Sequence, residues 1–171
     1  PDGCNLLDAE NILPESEVVF YQVGLGKGSV ALFANIFRYK LLLEKGGWWV
    51  DLDIVCLSDV LPEEPYVFGY EDNDKKIGTA VLKTPPGDGL MGYCLEQALE
   101  IGIKADWGQT GPELITAGIA KLGLEDTVKP VSTFYAYSFH EAKDALLPRH
   151  TKRLQSKCEE STFAHLWGEK L

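Results

Sequence analysis

Residues 31–57, ALFANIFRYKLLLEKGGWWVDLDIVCL, change their periodicity halfway, and that change decides the fold. In the first half Ile36, Tyr39, Leu42 and Leu43 recur at helical spacing, with no Pro or Gly until Gly46-Gly47. The spacing predicts a helix from about Ser29, acting as N-cap, to Lys45. Glycine just past the last periodic residue suits a helix C-terminus, because a left-handed residue there carries no Cβ penalty. From Trp48 to Leu57 the β-branched and aromatic content predicts a buried strand and its continuation. Two carboxylates, Asp51 and Asp53, interrupt that run, and side chains two apart on a strand project together. Unpartnered carboxylates are costly to take out of water, and two side by side resist joint ionisation. A divalent cation resolves both problems, since oxygen ligands suit Mg²⁺ and Mn²⁺. Alternatively, the strand ends at Asp51 and both acids sit in a solvated turn.

The surroundings of the triplet narrow the choice. Ala34-Asn35-Ile36-Phe37-Arg38-Tyr39, then Glu44-Lys45-Gly46-Gly47-Trp48-Trp49-Val50-Asp51-Leu52-Asp53, resembles the sugar-binding region of glycosyltransferase family thirty-two. The family pattern is roughly S-D-x-x-R-Y, a helix, then G-G-x-Y-x-D-x-D. The resemblance implies an α/β fold of the GT-A nucleotide-sugar type, a Rossmann-like mixed sheet flanked by helices. Residues 1–171 would form a single catalytic domain, with the family's first nucleotide-binding strands missing ahead of Pro1. The implied reaction is glycosyl transfer with retention, from a nucleotide-diphosphate sugar to a saccharide or other hydroxyl acceptor. A UDP-sugar is the default donor and a GDP-sugar the second choice, with Mn²⁺ or Mg²⁺ as cofactor. Family members work in the cytoplasm, as bacterial surface-polysaccharide enzymes do, or in the Golgi lumen.

The resemblance also assigns roles. Asp53 and Asp51 would hold the metal, with His165 closing the shell, and Arg38 and Asn35 would orient the donor sugar. Thr110-Gly111-Pro112, opening a helix, matches a family element that lines the sugar pocket. Thr162 to Trp167 (TFAHLW) resembles the late A-x-H-x-W element, which makes Trp167 a pocket wall. The chain departs from the pattern where Ala34-Asn35 replaces Ser-Asp, so Asn35 can hydrogen-bond but brings no negative charge. Trp49 replaces the usual Tyr.

Composition excludes other classes. Acidic side chains outnumber basic ones, 26 to 16, for a net charge of −10, so no surface for tracking nucleic-acid phosphates is expected. No apolar run reaches membrane-spanning length, so no transmembrane segment is expected. Cys4, Cys56, Cys94 and Cys158 show no C-x-x-C spacing, which argues against a zinc site; most read as buried free thiols.

Elsewhere the patterns predict a short helix over Asn5–Ile12, strands at Val18–Val23, Tyr66–Glu71, Ile77–Lys83 and Val128–Ser132, and helices over Leu90–Ile103 and to about Leu122. On the first of these long helices Leu95, Ala98, Leu99 and Ile103 are expected to face inward. Gly24 to Ser29 (GLGKGS) has no Ser or Thr directly after Lys27, so it reads as a connection rather than a phosphate cradle. Glu71 to Lys76 reads as a solvated charged loop, and Phe134 to Tyr137 as core. Two rivals stay open. Asp51 to Val55 also fits the D-x-D-x-[TV] of Mg²⁺-dependent phosphohydrolases of the haloacid-dehalogenase type, although Gly87-Asp88 lacks the acidic partner that chemistry needs. The other is a sugar-binding relic without turnover, favoured by Asn35.

Overall fold

The computed structural model describes residues 3–72 and 75–168; Asn73 and Asp74 of the charged loop lie outside the described residues. The helices are α1 (Ala31–Lys45), α2 (Gly89–Ile101), α3 (Pro112–Leu122), α4 (Val131–Phe134) and α5 (Thr151–Glu159). The strands are β1 (Gly47–Val50), β2 (Ile54–Cys56), β3 (Phe68–Gly69), β4 (Val81–Thr84), β5 (Val128–Lys129) and β6 (Phe163–His165). The chain is therefore a mixture of helix and strand, and its strands are short. They pair two by two: β1 antiparallel to β4, β2 antiparallel to β6, and β3 parallel to β5. Val67 and Lys83 exchange backbone hydrogen bonds at 3.1 and 2.9 Å, which hangs the β3 segment on the far side of β4.

Helix α1 forms close to the predicted span but starts at Ala31, with Val30 rather than Ser29 at its N-cap; the Ala31 N–H donates to the Ser29 hydroxyl at 3.2 Å. Its buried positions, Leu32, Asn35, Ile36, Arg38, Tyr39 and Leu42, form one stripe. Two of these, Asn35 and Arg38, are polar. The helix stops at Gly46, whose N–H bonds Leu42 O at 2.8 Å; Gly46 and Gly47 both have positive φ, 63° and 85°. That conformation favours glycine and lets the chain reverse directly into β1.

The predicted strand from Trp48 to Leu57 is broken into two. β1 is zipped to β4 and β2 to β6, so the chain must turn a corner between two different partners. Asp51-Leu52-Asp53 is that corner, closed by Ile54 N–H on Asp51 O at 3.1 Å. The two acids thus do not share a strand face, as the period-two reading expected; they flank a turn whose middle residue, Leu52, is fully exposed.

Other elements shift for similar reasons. Val18–Val23 is not a strand, because Tyr21 spends its backbone groups on Ser29 and Gly28 across a turn instead of on a ladder. Val131–Phe134 is helical, which ends the expected strand after Lys129. In α2 the inward stripe is Leu90, Met91, Cys94 and Ala98, packed between α1 and α3, while Leu99 and Ile103 are exposed. Of the helix expected over Asn5–Ile12, only Ala9–Asn11 makes a helical turn. All four cysteines are free thiols, but Cys4 and Cys56 are exposed, Cys158 is half-buried and only Cys94 is buried.

Two apolar clusters result. One fills the space between α1, α2 and α3, around Leu32, Tyr39, Leu42, Leu90, Met91 and Ile115. The second lies under β2 and β6, where Phe134, Tyr135, Tyr137, Phe163 and Trp167 meet. Each fully buried large side chain contributes roughly 1.5–3 kcal/mol relative to exposure. Between the clusters a cavity opens. Among the described residues no helix is long and apolar enough to cross a membrane.

Candidate functional site

Asn35 and Arg38, one turn apart on α1, enter the cavity from one side. Arg38 Nη1 donates to Asn35 Oδ1 at 2.5 Å and Nη2 to Asp51 Oδ1 at 3.1 Å. Trp49 Nε1 donates to the same Asp51 oxygen at 2.6 Å, and its ring lies 4.7 Å from the guanidinium carbon. The guanidinium is therefore stacked on Trp49 and forked between two acceptors, a geometry that lysine cannot copy. Its Nε is buried with no partner among the described residues. Behind Asn35 the contacts are structural. Its Nδ2 donates to Thr110 Oγ1 at 3.2 Å, Tyr21 Oη stands 3.0 Å from that hydroxyl, and Tyr39 Oη donates to Thr110 O at 2.9 Å. Thr110 is fully buried, and Gly111 is pressed against the Asn35 amide. As placed, Thr110 and Gly111 brace Asn35 rather than line the cavity; Pro112, at the start of α3, does line it.

Across the corner, Asp53 faces the end of β6. His165 Nε2 lies 3.1 Å from Asp53 Oδ2, and the Gly168 N–H donates to the same oxygen at 3.0 Å. The β2–β6 register makes this inevitable, since Ile54 sits opposite His165 and Leu166 N–H bonds Asp53 O at 2.8 Å. Trp167 packs its ring 4.0 Å from the His165 ring, stacks on Tyr135 at 5.6 Å and donates its Nε1–H to Tyr137 O at 3.2 Å. Its φ of 55° is one a bulky side chain adopts only when its surroundings hold it there.

A further wall was not foreseen. Glu71 and Lys76 belong to the cavity, not to a solvated loop, because the chain folds back through Glu71 N–H on Lys76 O at 2.7 Å and the Tyr70–Ile77 bridge. Burial raises the Glu71 pKa, and Asp72 adds to this, while the Lys76 charge opposes it. Tyr135, also in the wall, has its phenol pushed far up, first by burial and then by the charges of Glu71 and Asp51. Phe139 closes the rim edge-on to Trp167, ring centroids 5.7 Å apart.

The cavity is open to one side and measures about 740 Å³, large enough for a ligand of nucleotide-sugar size. Asn35, Arg38, Asp51, Asp53, His165 and Trp167 all line it, although they come from three separate segments. Asp51 and Asp53 each keep one carboxylate oxygen outside any hydrogen bond among the described residues. Their side chains are 30% and 35% exposed. Such a pair fits an ion that takes one or two carboxylates and completes its shell with phosphate oxygens and water. Among the described residues no three His, Cys, Asp or Glu side chains gather as a metal-holding group by themselves. Asp88 is buried far from such a role: it caps α2 through Met91 N–H at 3.0 Å and accepts from Tyr66 Oη at 2.7 Å. Glu71 and Lys76 carried no signal in the sequence beyond a charged run. Comparison with protein-family models, curated proteins and solved structures finds no match.

Proposed function

We propose that this chain is a metal-dependent, retaining glycosyltransferase of the GT-A type, acting on a nucleotide-diphosphate sugar. One observation carries the proposal: Arg38 and Asn35 on α1, Asp51 and Asp53 at the corner, and His165 and Trp167 after β6 line one cavity. A bound Mn²⁺ or Mg²⁺ would supply charge stabilisation for the leaving diphosphate. Asp53 would hold that ion with Asp51 beside it, and His165 and the Gly168 N–H fix the orientation of Asp53. Arg38 keeps Asp51 in place. Trp167 and Tyr135, stacked on each other, would form an apolar wall beside the sugar. Retention is assigned to a front-face route, in which the acceptor's proton passes to the leaving phosphate.

A specific observation favours a second reading, sugar binding without turnover. The Asn35 amide is turned inward, its oxygen engaged by Arg38 and its nitrogen by Thr110. The phosphohydrolase reading is weakened by the commitment of Asp88 to a helix cap. Product formation separates the three. With Mn²⁺ and a panel of UDP- and GDP-sugars, the transferase reading expects nucleoside diphosphate release that Asp53→Ala reduces at least about a hundredfold. Release of phosphate from p-nitrophenyl phosphate would favour the hydrolase, and donor binding without either product the relic.

A further inference from the structure

Three carboxylates line the cavity, and two of them are already engaged. Asp51 accepts from Arg38 and Trp49, and Asp53 from the Gly168 N–H with His165 beside it. The third, Glu71, makes no side-chain hydrogen bond among the described residues. It stands in the wall with Lys76. Its backbone is pinned at both ends of the fold-back: Tyr70 N–H bonds Lys129 O at 3.1 Å, and Glu71 N–H bonds Lys76 O at 2.7 Å. The position is held while the carboxylate is left without an acceptor's task. Asn35, by contrast, has one amide oxygen and one amide nitrogen already committed inside the protein.

A half-buried carboxylate in a cavity needs donors, and Lys76 supplies only a charge nearby. Sugar hydroxyls are donors of the right kind, and two vicinal hydroxyls match the two oxygens of one carboxylate. Tyr135 and Trp167, stacked on each other at 5.6 Å, add apolar wall to the same cavity. We infer that Glu71 is the residue that reads hydroxyl groups of the transferred sugar, with Lys76 beside it holding its charge. The inference rests on the glycosyltransferase reading and adds a specificity determinant to it. A site built to accept from a hydroxyl discriminates strongly against a sugar that lacks it, because the buried acceptor is then left unpaired.

The test is calorimetry in Mn²⁺ with UDP-glucose, UDP-galactose, UDP-N-acetylglucosamine and GDP-mannose, and with UDP and GDP alone. It compares wild type, Glu71→Ala and Glu71→Gln; the isosteric Gln variant carries the test where Ala fails to fold. The expected result is that the best-bound sugar nucleotide weakens about tenfold or more in both variants while the bare nucleotide is unaffected. Equal loss for sugar nucleotide and bare nucleotide, or no loss, overturns the assignment. So does azide restoring turnover in Glu71→Ala as a glycosyl azide, which would make Glu71 a nucleophile. If the wild type binds no probe, the glycosyltransferase reading fails and this inference with it. A wild type that binds alongside indifferent variants sinks the inference alone.

Discussion

At the scale of single residues, Arg38 is the side chain on which the site depends. It is almost fully buried, yet it satisfies two acceptors from different elements and lies over an indole. Removing it leaves Asp51 and Asn35 without their donor. Arg38→Ala should lower stability by about 2–4 kcal/mol, toward the lower end for a broken buried pair because Asp51 keeps access to water. Arg38→Lys keeps the charge but not the fork, and should recover less than half of that loss. Urea unfolding of the three proteins measures both; a Lys variant as stable as wild type would contradict the forked arrangement. Arg38 was singled out in the sequence by the resemblance, whose pattern carries an Arg at that spacing from the glycine pair. Glu71 was not, because nothing in a run of charges tells which one the backbone will fold inward.

At the scale of elements, two junctions hold the cavity walls. The first is the segment Phe139–Leu146 (a 3₁₀ helix), which places Phe139 against Trp167. Glu141 locks it, closing a capping box with Ser138 and bonding Lys157 at 2.8 Å and Arg153 at 3.0 Å. Burial works against ionisation of Glu141, but the Lys157 and Ser138 hydrogen bonds outweigh it and bring its pKa from 4.5 to about 2. A depressed carboxyl pKa contributes stability that is fully present above about pH 4.5 and lost as the pH falls through about 2. The thermal midpoint of wild type should therefore drop more steeply between these values than that of Glu141→Gln. Parallel curves would show that the lock contributes nothing. The second junction is the contact of Gly78 with Tyr135, where an added Cβ would strike the phenol oxygen. Gly78→Ala should cost about 1–3 kcal/mol, and Tyr135→Phe in the same chain should recover part of it. Additive effects of the two substitutions would contradict the contact.

At the scale of the whole molecule, helices were easier to foresee than strands. The stripes of α1 and α3 are local properties of 3.6-residue periodicity, and Gly46 and Pro112 mark an end and a beginning that need no distant partner. Strands are defined by what they pair with. Trp48 to Leu57 reads as one strand until β4 and β6 claim different parts of it. Val18 to Val23 reads as a strand until Tyr21 turns back on Ser29. The corner that results puts the two acids in one cavity by a route the period-two argument did not contain. The aromatic segment Phe134–Tyr137 was recognised as core, yet Tyr135 also serves as cavity wall; burial and function coincide where the core meets the cavity.

On the proposed function this corner, Asp51-Leu52-Asp53, binds a diphosphate through a divalent ion. The most direct measurement is calorimetric titration of UDP and GDP into the wild type and Asp53→Asn, each with Mn²⁺ and with EDTA. Nucleotide is expected to bind in Mn²⁺ and to weaken at least about tenfold with EDTA and equally in Asp53→Asn. Binding that ignores both the metal and the substitution, or no binding in any arm, would contradict it.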